Sequence, residues 1–228
     1  MIHSLLDSRI VHQKDRAEHV HSLLCHMPLE AAQMPQSLAV FTAHDSSEKS
    51  LFEKNLDLWK IPYEVLRLSS PWSHTLRLRS FSEHLKSLDC TYVLYGDAFD
   101  VALSGPISEI FEKYTESRSS LLFCSSTVIR GYYHMMPVLE WAEREHPGRY
   151  LNAGSWIGKR EVAIEFIEAA LEFVTDEDPH ASEFLSNEVN WIGNFPKSTG
   201  CDQTIFRWLE PRFSVVGVDS EQRVFSRN

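Results

Sequence analysis

The stretch that most constrains this chain runs Thr91-Tyr-Val-Leu-Tyr-Gly-Asp-Ala-Phe-Asp-Val-Ala-Leu103. It opens as a short aromatic and β-branched run with no helical spacing, the pattern of a strand buried on both faces of an α/β sheet. Gly96 breaks the run, and two carboxylates follow at Asp97 and Asp100. In open α/β sheets ligands gather at the carboxyl ends of the strands. With this spacing just past a strand, both acids can point to one side of a turn and reach a single divalent cation. Carboxylate oxygens are hard ligands suited to Mn²⁺ or Mg²⁺, which keep waters and accept further oxygens from a substrate phosphate. The plainer use of the same two residues is turn hydrogen bonding to backbone amides.

With 228 residues and 43% hydrophobic content the chain can bury a full core, and one α/β domain is the simplest organisation. A net charge of −10 argues against a nucleic-acid or anionic-membrane binder. Met1 to Glu30 carry Asp7, Asp15 and several histidines and lack the apolar core of a signal peptide, and no apolar run is long enough to span a bilayer. Cys25, Cys90, Cys124 and Cys201 are widely spaced with no CxxC pair, as expected of reduced thiols in a cytoplasmic protein.

Residues 1–36 read as an N-terminal helical extension, with one or two helices between Ser4 and Leu29 ended by Pro28. His21 and Cys25 fall on one face of such a helix, a spacing open both to a transition metal and to ordinary solvated packing. The main domain, 37–228, begins with a strand from Ser37 to Thr42. A helix follows, capped by Ser46 or Ser47 and carrying Leu51, Phe52, Leu56 and Trp59; a second strand runs from Tyr63 to Leu68. Together these make a βαβ unit with a parallel strand pair. No Gly-rich loop follows the first strand, so the usual P-loop and dinucleotide fingerprints are absent.

Thr75 to Leu88 reads as a helix with Arg77 and Arg79 near its start. A cation there is unfavourable unless an anion sits in front of it, which hints at a phosphate; two solvated arginines are the alternative. Past the acidic pair, a helix from Ile107 to Tyr114, a strand from Leu121 to Cys124 and a helix from Val138 to Glu145 lead to Arg149-Tyr-Leu-Asn-Ala-Gly-Ser-Trp-Ile-Gly158. In that segment Gly154 and Gly158 permit close backbone approach, and Asn152 offers a donor and an acceptor to a hydroxyl-rich ligand. The plainer alternative is a glycine-rich turn between a strand and a helix, and a buried helix from Arg160 to Val174 follows. A polar excursion to Thr199, a helix from Gly200 carrying Ile205, Phe206, Trp208 and Leu209, and a strand from Phe213 to Val218 complete the chain.

Four landmarks, Val40-Phe-Thr42, Tyr95-Gly-Asp-Ala-Phe-Asp-Val101, Tyr150-Leu-Asn-Ala-Gly-Ser-Trp-Ile-Gly158 and Asp202-Gln-Thr-Ile-Phe206, occur in an order that resembles the collagen-lysine glycosyltransferase family. That family includes the glycosyltransferase domain of the procollagen lysyl hydroxylases. The likeness covers roughly Leu38 to Phe225, and its weight lies in the ordered combination. It implies a GT-A fold, a Rossmann-like α/β domain with a mostly parallel sheet, which transfers glucose or galactose from a UDP-sugar with Mn²⁺ to a hydroxyl acceptor on a glycan or protein. By position in the motifs, the resemblance makes Asp97 and Asp100 metal ligands and sets Phe99 against the uracil. Thr42 would line the uridine pocket, Arg77 meet the diphosphate, and Asn152 and Gly154 border the donor sugar. Asp202, with Gln203 beside it, would stand near the transferring sugar, either stabilising its developing positive charge or accepting the acceptor's proton. The family's third metal ligand, a C-terminal His, has no counterpart here, and the acidic run before Gln203 is reduced to Cys201-Asp202. An alternative expectation is therefore a non-catalytic UDP-sugar-binding domain.

Overall fold

The structure, a computed structural model, describes residues 13–27, 33–69, 73–129, 136–173 and 202–225. Seven helices, α1 Gln13–Leu24, α2 Leu51–Leu58, α3 His74–Ser87, α4 Ile107–Glu116, α5 Met136–Glu145, α6 Arg160–Leu171 and α7 Asp202–Leu209, flank a six-stranded sheet among these residues. The strands are β1 Leu38–His44, β2 Glu64–Arg67, β3 Tyr92–Gly96, β4 Leu121–Ser126, β5 Tyr150–Lys159 and β6 Val216–Val218, in the order β2-β1-β3-β5-β4-β6. β1 pairs in parallel with β2 and β3, as does β4 with β6, whereas β5 runs antiparallel to both β3 and β4. The expected α/β architecture is present; the antiparallel strand in the middle of the sheet is a departure from simple parallel winding.

Alternation along the strands explains how one sheet serves two cores. Phe41, Val93, Tyr95, Leu121, Phe123 and Trp156 face the side covered by α3, α5, α6 and α7. Their sequence neighbours Val40, Leu94, Leu122 and Ile157 face the side where Val20 and Leu24 of α1 pack with Phe52 and Leu56 of α2 and with Ile107 and Tyr114 of α4. The first core is dense in aromatic contacts, with Phe41, Phe81, Tyr95 and Trp156 meeting at ring separations of 4.7 to 6.4 Å. Offset and edge contacts of this kind add to the area buried.

Several elements differ in detail from the sequence reading. α2 is capped not by Ser46 or Ser47 but by Ser50, whose hydroxyl accepts from Glu53 N while the Glu53 carboxylate accepts from Ser50 N at 2.6 Å. This reciprocal box satisfies two amides that a helix start leaves orphaned. The glycine-rich segment after Arg149 is not a connection but β5, the longest strand. A Cβ on Gly158 would stand 2.7 Å from Ser120 O and 2.8 Å from Leu121 Cα, so glycine is needed there to let β4 and β5 approach. Gly158→Ala is accordingly expected to cost about 2 kcal/mol, read as a lowered urea midpoint at unchanged slope. The polar excursion expected up to Thr199 lies outside the described residues, as do Pro28 and Cys201. Among the described residues no helix is long and apolar enough to cross a membrane.

Candidate active site

The strand order changes direction at β1: the chain steps outward to β2 and then crosses back to lay β3 on the other side of β1. At such a switch point the carboxyl ends of the two central strands open a crevice. Thr42 Oγ1 donates to Gly96 O at 2.7 Å and ties the two strand ends together. The loop carrying the acids is then fixed from both flanks. Phe52 N, at the start of α2, donates to Ala98 O at 3.0 Å, and Asp97 N donates to Gly154 O of β5 at 2.8 Å. Further along, the Asn55 carboxamide oxygen accepts from Leu103 N at 2.7 Å.

Because β5 is antiparallel, its first half arrives at this same end of the sheet. Gly96 pairs with Ser155, so Asn152 and Gly154 stand beside the acidic loop. Gly154 is there for space: a Cβ would lie 2.9 Å from Asp97 Oδ2 and 3.0 Å from Asn152 Oδ1. Asn152 Oδ1 accepts from Gly154 N at 3.0 Å, and its amide nitrogen donates to Gln203 Oε1 at 2.8 Å, which joins β5 to the first turn of α7. α7 is itself held by Arg207, fully buried, whose guanidinium donates to Leu151 O at 2.9 Å and Val128 O at 2.8 Å.

Arg77 crosses the middle of the site. It enters from the first turn of α3, whose N-cap Ser73 accepts from Leu76 N at 3.0 Å. Its guanidinium donates to Asp97 Oδ1 at 3.2 Å and to Asp202 Oδ2, and Tyr95 OH donates to the same Asp97 oxygen. The anion foreseen in front of this arginine is thus supplied by the protein's own carboxylates. Arg79, its companion in the sequence reading, is exposed. His74 is the participant that sequence reasoning missed: its Nδ1 lies 2.9 Å from Asp202 Oδ1. One signal was available, since positions 74 and 77 share a helix face.

The two acids at the centre have opposite electrostatic characters. Burial pushes the Asp97 carboxyl up to about 6; Arg77 pulls against that rise and Asp100 adds to it. With 29% of the Asp97 side chain exposed, water moderates the effect. Burial would raise Asp202 as well, but Arg77 and His74 outweigh it and hold that carboxyl well below the usual carboxylate range. Asp202 therefore stays ionised at every ordinary pH. Burial likewise disfavours the charge on Arg77, yet Asp202, Tyr95 and Asp97 more than compensate and raise its pKa.

The donor set suits a cation shared with a ligand. Asp97 Oδ2 accepts no hydrogen bond among the described residues, and Asp100 is close enough to influence its ionisation. Among the described residues no group of three or more His, Cys, Asp or Glu side chains converges as a closed metal cage. Two carboxylates at an open site fit Mn²⁺ or Mg²⁺ completed by water and phosphate oxygens. Beside them Phe99 is 45% exposed, an unusual setting for a large ring, with His44 edge-on to it at 5.5 Å. His21 of α1 and Cys25, just past its end, approach each other with Nε2 and Sγ 3.8 Å apart.

The chain matches no protein-family model and no characterised protein.

Proposed function

We propose that this chain is a metal-dependent glycosyltransferase of GT-A type that moves glucose or galactose from a UDP-sugar to a hydroxyl acceptor. One observation carries the reading. Residues from four segments far apart in sequence, Thr42, Asp97 to Asp100, Asn152 with Gly154, and Asp202 with Gln203, meet at the carboxyl end of β3 through hydrogen bonds. Four weak motifs that assemble into one crevice support a shared ligand far better than any of them does alone.

In this reading Asp97 and Asp100 hold Mn²⁺ or Mg²⁺, which neutralises the charge developing on the departing diphosphate when it is bound. Phe99 offers its exposed face to the uracil, and Thr42, fully buried, ties the strand ends behind the uridine pocket. Arg77, which anchors Asp97 and Asp202, would meet the diphosphate. Asn152, Gly154 and Gln203 border the hexose, where the Asn152 carboxamide can exchange hydrogen bonds with sugar hydroxyls. A non-catalytic UDP-sugar-binding domain is the second reading, and one observation favours it. Asp202 spends Oδ1 on His74 and Gln203 N and Oδ2 on Arg77, so it is poorly placed to take a proton itself.

Calorimetric titration with UDP, with and without Mn²⁺, tests the donor site. Binding is expected only with metal, and Phe99→Ala should weaken it about 10-fold to 100-fold, the loss of one base stacked on an aromatic ring. No binding under either condition would sink the proposal. Release of hexose from UDP-glucose or UDP-galactose separates the two readings.

A further inference from the structure

The strongest unassigned cluster in the molecule is the contact between His74, at the first position of α3, and Asp202, at the first position of α7. An ionised carboxylate only accepts hydrogen bonds, so the 2.9 Å approach of His74 Nδ1 to Asp202 Oδ1 fixes the proton on Nδ1. The 3.4 Å approach of Arg77 Nη2 to that nitrogen is then a contact between two donors. In this tautomer the basic lone pair of the imidazole lies on Nε2. His74 retains 25% of its side-chain exposure beside an Asp202 that is 4% exposed. This is the division of labour of a His–Asp pair, in which the buried acid orients the ring and the ring handles the proton.

We propose that His74 is the general base of the transfer reaction and that Asp202 is its positioning residue. The inference rests on the donor reading above and assigns the proton that reading leaves unassigned. The acceptor hydroxyl, or water in its place, gives its proton to His74 Nε2 as its oxygen bonds to the anomeric carbon. The bond from that carbon to the β-phosphate oxygen breaks, and UDP leaves with the electron pair. Attack opposite the leaving group inverts the anomeric centre, so an α-linked UDP-hexose yields a β-hexose product. Among the charged groups facing His74 are Asp202 from α7, Arg77 from its own helix, and Asp97 of the β3 loop through the same guanidinium.

The test uses the full chain with UDP-glucose and UDP-galactose as donors, water as acceptor and saturating Mn²⁺. His74→Gln keeps an amide for Asp202 but cannot act as a base near neutral pH. Its kcat is expected to fall by about 10²-fold to 10³-fold while UDP affinity stays within about threefold. In His74→Ala, added imidazole should restore part of the rate, a response that a purely structural role does not give. The hexose first released should be the β anomer by proton NMR. Retained turnover in His74→Gln, absent imidazole rescue or an α product would each overturn the assignment while leaving the donor site standing. UDP binding with no hexose release by the wild type would overturn it in favour of the non-catalytic reading. Absence of UDP binding by the wild type would remove both.

Discussion

Asp97→Asn is expected to abolish metal-dependent UDP binding while leaving the ligand-free chain more stable at neutral pH. The two effects have one cause. The Asp97 carboxyl is raised from its ordinary 3.8 to about 6, first by burial, so the folded chain holds the ionised form at a cost. That cost is fully present above about pH 6, shrinks as the pH falls toward 3.8 and is gone below it, where the carboxyl is protonated in both folded and unfolded chains. Two pKa units correspond to roughly 3 kcal/mol at most, and the water reaching Asp97 brings the expected gain down to about 1 kcal/mol. An asparagine oxygen still accepts from Tyr95 and Arg77, so those hydrogen bonds survive. What is lost is the charge that attracts a divalent cation, and apparent UDP affinity with Mn²⁺ should fall by about a hundredfold or more. Urea unfolding at pH 7 and pH 4 reads the first effect, with the difference between variant and wild type closing at pH 4. Calorimetry reads the second. An unchanged affinity would remove Asp97 from the metal site, and a lower midpoint at pH 7 would show that its ionisation is not a burden on the fold.

Arg77→Met carries the largest expected loss of stability, about 3–5 kcal/mol. Asp202 is almost completely buried and ionised, and Arg77 is its main counter-charge. Removing that charge leaves a buried anion with His74 and the Gln203 amide as its remaining partners among the described residues. The depressed carboxyl of Asp202 contributes stability above its ordinary 3.8, and the wild type loses that contribution as the pH falls below this value. In Arg77→Met the contribution is already gone, so the gap to the wild type should narrow below about pH 4. The double variant Arg77→Met/Asp202→Leu should recover most of the loss, because exchanging a buried ion pair for apolar groups of similar size is often neutral. A single variant that unfolds at the wild-type midpoint would show that the clasp is dispensable.

Much of this architecture was legible in the chain because strands and helices advertise themselves locally. β3 announced itself through an aromatic and β-branched run broken by Gly96, and α3 and α6 lay within a few residues of their expected limits. β5 was hidden for a physical reason. Glycine weakens an isolated strand, so Gly154 and Gly158 read as loop residues. Their value appears only in three dimensions, where one makes room for a carboxylate and the other for β4. The acidic pair, Thr42, Asn152 and Asp202 were all singled out as site residues, and each lies at the carboxyl end of the sheet. The partners of Arg77 were not visible, since Asp202 is 125 positions away and only the packing of α3 beside α7 brings them together. A local rule about helix starts foresaw an anion; nothing local said that it would come from the same polypeptide.

The antiparallel course of β5 divides one strand into two territories. From Asn152 to Gly154 it borders the crevice, whereas Trp156 and Ile157 fill the cores on opposite faces and Gly158 lets β4 close in. Residues that border the crevice and residues that hold the molecule together therefore alternate along one strand. Random substitution should sort accordingly, with Asn152 yielding more folded chains than Leu151, Ala153, Trp156, Ile157 and Gly158, which fill the cores or let β4 approach. Under the proposed donor reading, Asn152 is a position where donor choice can change without rebuilding the scaffold.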